Sequence, residues 1–173
     1  MLRDIFIAAH AAAGVVALVA GVVALRGGRL LNLHAWSTGG MTLFLLLAVG
    51  AEWDAIDTTA RVLFAAFGLL AVIMVRLSVM ARPIRPAHGV RPSPRYLDYV
   101  GFNVVALFDA FVVIAVLDIG APIWLVAGSG VAIGVAGHFL LRWAKHTLTA
   151  ADGRSGNSRA NAARGGPIRR QPT

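Results

Sequence analysis

Long apolar runs, separated by short polar segments, dominate the chain. The first run extends from Ile5 to Leu25 and reaches the length of about 20 residues that a helix needs to cross the hydrocarbon of a bilayer. Four more runs of similar character follow it. The pattern predicts five helical spans, at about residues 5–25, 35–51, 60–81, 97–117 and 121–143.

The composition agrees with this pattern. Only 14% of the residues are charged and the mean hydropathy is +0.73, whereas a soluble domain carries about 25% charged residues. The sequence therefore predicts an all-α integral membrane protein, a bundle of five transmembrane helices. Residues 1–148 form this domain and leave no room for a separate soluble catalytic domain.

The charges between the spans predict the orientation. Most of the 16 Lys and Arg residues lie in the first loop, the third loop and the segment after Arg142. The opposite loops carry Glu52, Asp54, Asp57 and Asp118 instead. Because basic loops stay in the cytoplasm, we expect an N-out, C-in protein of a bacterial cytoplasmic membrane.

The last segment differs in character from the spans. Residues 149–173 are rich in Gly, Ser, Asn and Arg and poor in apolar residues, which predicts a disordered basic cytoplasmic tail. The net charge of +8 is explained by basic residues that flank membrane spans. We therefore expect the lipid bilayer as a partner and no nucleic acid.

Two polar residues are predicted in the outer half of the membrane. His10 shares one stripe of the first helix with Gly14 and Gly21, and small residues in such a stripe allow a neighbouring helix to approach closely. Asp109 lies at a similar depth on the fourth helix. A His10–Asp109 hydrogen bond is therefore predicted, serving either packing alone or a proton- or ligand-linked role.

The inner half holds His34, Arg76, Asn103 and His138. Two neutral imidazoles on different helices with an arginine near the propionates could hold a b-type haem, so His34, His138 and Arg76 form one candidate cofactor site. The alternatives are an interfacial His34 and an Arg76 that reaches the headgroups. For Asn103 the expectation is an interhelical hydrogen bond.

The sequence lacks the residues that several kinds of catalytic and metal site require. The chain has no cysteine, which excludes disulfides, thiolate metal sites and iron–sulfur clusters. It has no HExxH motif, no GxSxG motif and no phosphate loop. The sequence thus gives no hydrolase, kinase or metalloprotease signature.

Two short motifs near the N-terminus carry a family resemblance. They are His10-x-x-x-Gly14, followed by Gly21-Val-Val-Ala-Leu25, and His34-Ala35-Trp36-x-x-Gly39. This pattern resembles an actinobacterial-like family of small multi-pass membrane proteins of uncharacterised function, in which the second helix opens with His-Arg-x-x-Gly. Ala35 stands where that family tends to have Arg. The resemblance implies a histidine-bearing membrane bundle.

Two classes of function follow from these expectations. The first is a non-catalytic accessory protein or subunit of a membrane complex, with other membrane subunits or further copies of this chain as partners. The second is a haem-b or quinone-linked redox protein that uses His34 and His138. The first class needs fewer special assumptions, and it is the leading hypothesis.

Overall fold

The computed structural model describes residues 2–87 and 90–164, and these are all-helical, without a strand. Each of the five helices contains a stretch long and apolar enough to cross a membrane. The prediction of five such helices is confirmed. In chain order they are α1 (Leu2–Gly27), α2 (Leu31–Ala51), α3 (Thr58–Ala81), α4 (Pro94–Asp118) and α5 (Ile123–Arg164).

The second helix begins earlier than the hydrophobic pattern predicts. Gly28 and Leu30 both adopt a positive φ, of 71° and 61°, and this tight turn allows α2 to start at Leu31. The additional turn places His34 inside the helix, and the apolar stretch of α2 is 21 residues long. The shortest predicted span thereby gains a full spanning length.

The fifth helix ends later than predicted. It continues as helix through Arg164, into the segment that the sequence predicts to be a disordered tail. Extending a helix already formed avoids the cost of a new nucleus, and the alanines and arginines of this segment favour helix, although its glycines and asparagines do not. The remainder of the predicted tail, residues 165–173, lies outside the described residues.

The first four helices form a closed ring. α1 packs against α2, α2 against α3, α3 against α4, and α4 back against α1. In the described part of the chain, α5 contacts only α4. The helix ring of α1–α4 therefore has an interior of its own, while α5 is attached to its outside.

Two apolar clusters fill the interior of the helix ring. One joins Ala24, Leu31, Ala81, Tyr96 and Val100. The other joins Ala17, Met41, Met74 and Leu107. Small alanines on α1 face larger side chains from α2, α3 and α4, and this pairing brings the α1 backbone close to its neighbours.

The two ends of the bundle differ in charge. The basic end holds the α1–α2 and α3–α4 connections, and Gly28 lies so close to Arg85 and Pro86 that a Cβ atom would be 2.8 Å from Arg85 Cγ. Here the Arg82 guanidinium also lies 5.9 Å from the centre of the Trp36 ring. The acidic end holds the connection of residues 52–57.

Glycines shape the contact between α4 and α5. Gly101 of α4 lies under Leu141, and Gly137 of α5 lies under Val105, where a Cβ atom would be 2.7 Å from Val105 Cγ2. Further along, Gly130 faces Asp109. The residue numbers of these contacts rise along α4 while they fall along α5, so the two helices are antiparallel.

Candidate functional site: a polar junction in the helix ring

His34 is fully buried inside the helix ring. Its Nδ1 lies 2.8 Å from the carbonyl oxygen of Ala17 on α1. Because a carbonyl only accepts, Nδ1 carries the proton and donates it, which leaves Nε2 as an acceptor. The ring rests directly against Gly21, where a Cβ atom would be 2.9 Å from Nδ1. The His34 position therefore depends on a glycine of the neighbouring helix.

Asn103 is also fully buried and connects α4 to α3. Its Nδ2 donates to the carbonyl oxygen of Met74 at 2.9 Å and to Ser78 Oγ at 2.8 Å. The same nitrogen lies 3.4 Å from His34 Nε2. The Met74 carbonyl fixes the amide orientation, since only the nitrogen can donate to it.

These contacts bring the four ring helices together at one level. We call the group His34, Ser78 and Asn103, with the carbonyls of Ala17 and Met74, the polar junction. The Asn103 Oδ1 atom is buried and has no hydrogen-bond partner among the described residues. The side chains of His34, Thr38, Thr42 and Ser78, which are also buried in the ring, each make a hydrogen bond.

Two threonines extend the polar face of α2 beyond His34. Thr38 Oγ1 donates to the carbonyl oxygen of His34, and Thr42 Oγ1 donates to that of Thr38 and, at 3.4 Å, to Ala71 of α3. A hydroxyl that donates to a carbonyl of the preceding helical turn needs no further polar partner. The threonines are therefore compatible with a dry interior.

Tyr96 adds an interhelical bond at the basic end. Its hydroxyl donates to the carbonyl oxygen of Ala24 on α1, at 2.9 Å, and its side chain is fully buried. Tyr96 lies near the start of α4, and its ring belongs to the apolar cluster at that level. It joins α4 to α1 as Asn103 joins α4 to α3.

His10 and Asp109 are not joined to each other. His10 Nδ1 lies 2.9 Å from the carbonyl oxygen of Met41, so this histidine faces α2. Asp109 Oδ1 has no hydrogen-bond partner among the described residues and faces Gly130 of α5. The depths along the helices are similar, as predicted, but the two side chains point toward different neighbours.

The three residues of the candidate haem site do not converge. His138 is exposed on α5, where its ring contacts Phe139, and α5 does not touch α2. Arg76 is exposed on α3. His34 is enclosed by the ring helices, and its Nε2, the nitrogen left free to ligate, lies 3.4 Å from Asn103 Nδ2. These residues do not fit a haem shared between His34 and His138. The described residues also hold no group of three His, Asp or Glu side chains that could bind a metal ion.

An ion pair occurs at the basic end, where the Lys145 ammonium of α5 meets the Asp98 carboxylate of α4. This pair lies on the surface and ties the end of α5 to the start of α4.

Sequence reasoning missed four members of the polar interior: Thr38, Thr42, Ser78 and Tyr96. For the threonines a signal exists, because they follow His34 at the four-residue spacing that keeps side chains on one helix face. Ser78 and Tyr96 carry no comparable signal, since their burial depends on which helices are neighbours.

Comparisons with family models, curated proteins and solved structures found no match to this chain. The resemblance of the N-terminal motifs to a bacterial membrane family stays a prediction.

Proposed function

We propose that the chain is a polytopic protein of the bacterial cytoplasmic membrane and serves as a non-catalytic accessory protein or subunit of a membrane complex. Five apolar helices support membrane insertion. Large apolar side chains also cover the outside of the bundle, among them Val62, Leu69, Val131 and Phe139, each more than 60% exposed. Such a surface suits hydrocarbon rather than water.

The orientation follows from the charges at the two ends. The basic end carries Arg29, Arg82, Arg85 and Arg95, and the acidic end carries the carboxylates of residues 52–57. Since basic loops are retained in the cytoplasm, the basic end faces inward. With an odd number of spans, the N-terminus of the first helix lies outside and the end of α5 inside.

One observation carries the non-catalytic role. The buried side chains of His34, Ser78, Tyr96 and Asn103 bond to backbone carbonyls or to one another across helix interfaces. A reactive site needs polar groups that converge on space for a substrate. In the polar junction the groups converge on neighbouring helices instead, so they hold the ring together.

The size of the native assembly tests this proposal. A tagged chain is solubilised in mild detergent from its native membranes and, in parallel, from a host without its partners. A subunit gives a larger assembly in the native membranes than in the foreign host. Equal sizes in both membranes, at the mass of a single chain, would contradict the proposal, and equal sizes at a multiple of that mass would limit its partners to further copies of this chain.

A further inference from the structure

Asp109 lies in the α4–α5 contact, and no described residue serves as its counterion. Its Oδ1 is enclosed and has no hydrogen-bond partner among the described residues. Nearby lies Gly130 of α5, where a Cβ atom would be 3.6 Å from Oδ1 and 3.6 Å from Val113 Cγ2. The glycine gives the carboxylate space but no donor side chain. The contact therefore provides no hydrogen-bond donor for the Asp109 Oδ1 atom.

The described chain offers no Lys or Arg side chain at the depth of Asp109, and His10, which lies at a similar depth, faces the Met41 carbonyl of α2. Asp109 lies about 10 Å from the Val116 end of its span, at 1.5 Å per residue. Arg76, Arg142 and Lys145 lie toward the opposite, basic end of their spans. Arg61 is at the acidic end and donates to the carbonyl oxygen of Trp53. A second copy of the described residues would therefore bring no Lys or Arg at this depth either.

Asp109 is reachable from outside the bundle. The residue is only half-buried, and the next residue toward the N-terminus, Phe108, is exposed. In the described chain α5 packs on α4 alone, and the exposed Phe108 leaves room beside this contact for a helix from outside the chain. An ionised group in hydrocarbon is unfavourable unless it is paired, and such groups commonly pair with a charge on another helix.

We propose that Asp109 is the docking point for a transmembrane helix of a partner protein that carries Lys or Arg at the same depth. The partner helix lies along the outer flank of the α4–α5 contact and pairs its cation with the Asp109 carboxylate. This inference rests on the proposed role as a subunit and specifies the chemistry of the partner.

A designed probe helix tests the proposal without knowledge of the natural partner. The probe is a leucine-rich transmembrane peptide with one Lys about 10 Å from its outer end, and the matched peptide has Leu there. Association with the purified full chain in lipid vesicles is measured by energy transfer between fluorophores. The variants are Asp109→Asn and, as the control, Asp98→Asn, which removes the other carboxylate of α4 that lies inside its span.

We expect the wild-type chain to bind the Lys peptide about tenfold more tightly than the Leu peptide, as one interhelical polar contact of this strength gives. Asp109→Asn removes that preference and Asp98→Asn keeps it. Equal binding of the two peptides, or a preference that survives Asp109→Asn, would overturn the proposal. Self-association of the wild-type chain that depends on Asp109 would overturn it as well, in favour of a second copy.

The result is separable from the test of the proposed function. A native assembly that keeps its size when Asp109→Asn is introduced refutes the docking point and leaves the subunit role standing. Lys-peptide binding by a chain that forms no larger assembly in its native membranes supports the docking chemistry and refutes the subunit role.

Discussion

Gly21 of α1 lies directly beneath the imidazole of His34 of α2, and a Cβ atom at position 21 would be 2.9 Å from His34 Nδ1. The same atom would be 2.8 Å from Val104 Cγ2 of α4. One missing methyl group thus permits three helices to meet at the level of the polar junction. The close approach also allows His34 to reach the Ala17 carbonyl.

Gly21→Ala should therefore destabilise the helix ring. The added methyl group overlaps His34 and Val104, and relief requires both side chains to move in a packed interior, which costs about 1–3 kcal/mol. Thermal unfolding in detergent measures the effect. The control is Gly40→Ala on α2, where an added Cβ meets nothing within 4 Å. Equal unfolding temperatures for the two variants would show that the close contact is absent.

The bond between Asn103 and Ser78 should appear as energetic coupling. In a double-mutant cycle of Asn103→Ala and Ser78→Ala, we expect a coupling energy of about 0.5–1.5 kcal/mol, because either change alone breaks the same interhelical hydrogen bond. The reference cycle combines Asn103→Ala with His10→Ala, whose ring bonds to Met41 instead. Additive effects in the Asn103–Ser78 cycle would rule out the bond.

The number of long apolar helices could be predicted from the sequence, because each is a separate apolar run, but the start of α2 and the end of α5 could not. Depth along each helix was also predictable, since the rise per residue is fixed. His10 and Asp109 show that a similar position along two helices does not predict a contact between them. Whether two residues at one depth meet depends on which helices are neighbours and how each is rotated, and periodicity within one helix determines neither.

The same limit applies to His34 and His138. Both are histidines on glycine-bearing helices near the basic end, so a site between them was a reasonable hypothesis. The order of the helices around the ring separates them, because α5 packs outside the ring and away from α2. For Asn103, by contrast, an amide in an apolar helix needs a partner wherever it points, and its interhelical bonding was predictable from chemistry alone.

The contact between α4 and α5 should loosen without opening the ring. Gly137→Ala places a methyl group against Val105, so α5 must move away from α4. We expect faster hydrogen–deuterium exchange in residues 124–145 and unchanged exchange in α1–α3. Gly134→Ala is the matched control, since a Cβ there meets nothing within 4 Å. Faster exchange throughout the ring would show that α5 belongs to the same packed unit.

The proposed orientation can be tested with single cysteines, because the native chain has none. Ala55→Cys lies in the exposed connection at the acidic end, and Val90→Cys lies in an exposed connection at the basic end. A membrane-impermeant maleimide should label Cys at position 55 in intact cells and Cys at position 90 only after the membrane is permeabilised. The reverse pattern would require an N-in, C-out protein.

The central claim is that the buried histidine and its polar neighbours hold helices together and do not ligate a cofactor. The visible absorption spectrum of the protein, purified in mild detergent from haem-replete cells, tests this claim most directly. We expect no Soret band, because His34 is enclosed with Nε2 against Asn103, while His138 lies on a helix that does not reach it. A Soret band that disappears in His34→Ala or in His138→Ala would contradict the claim.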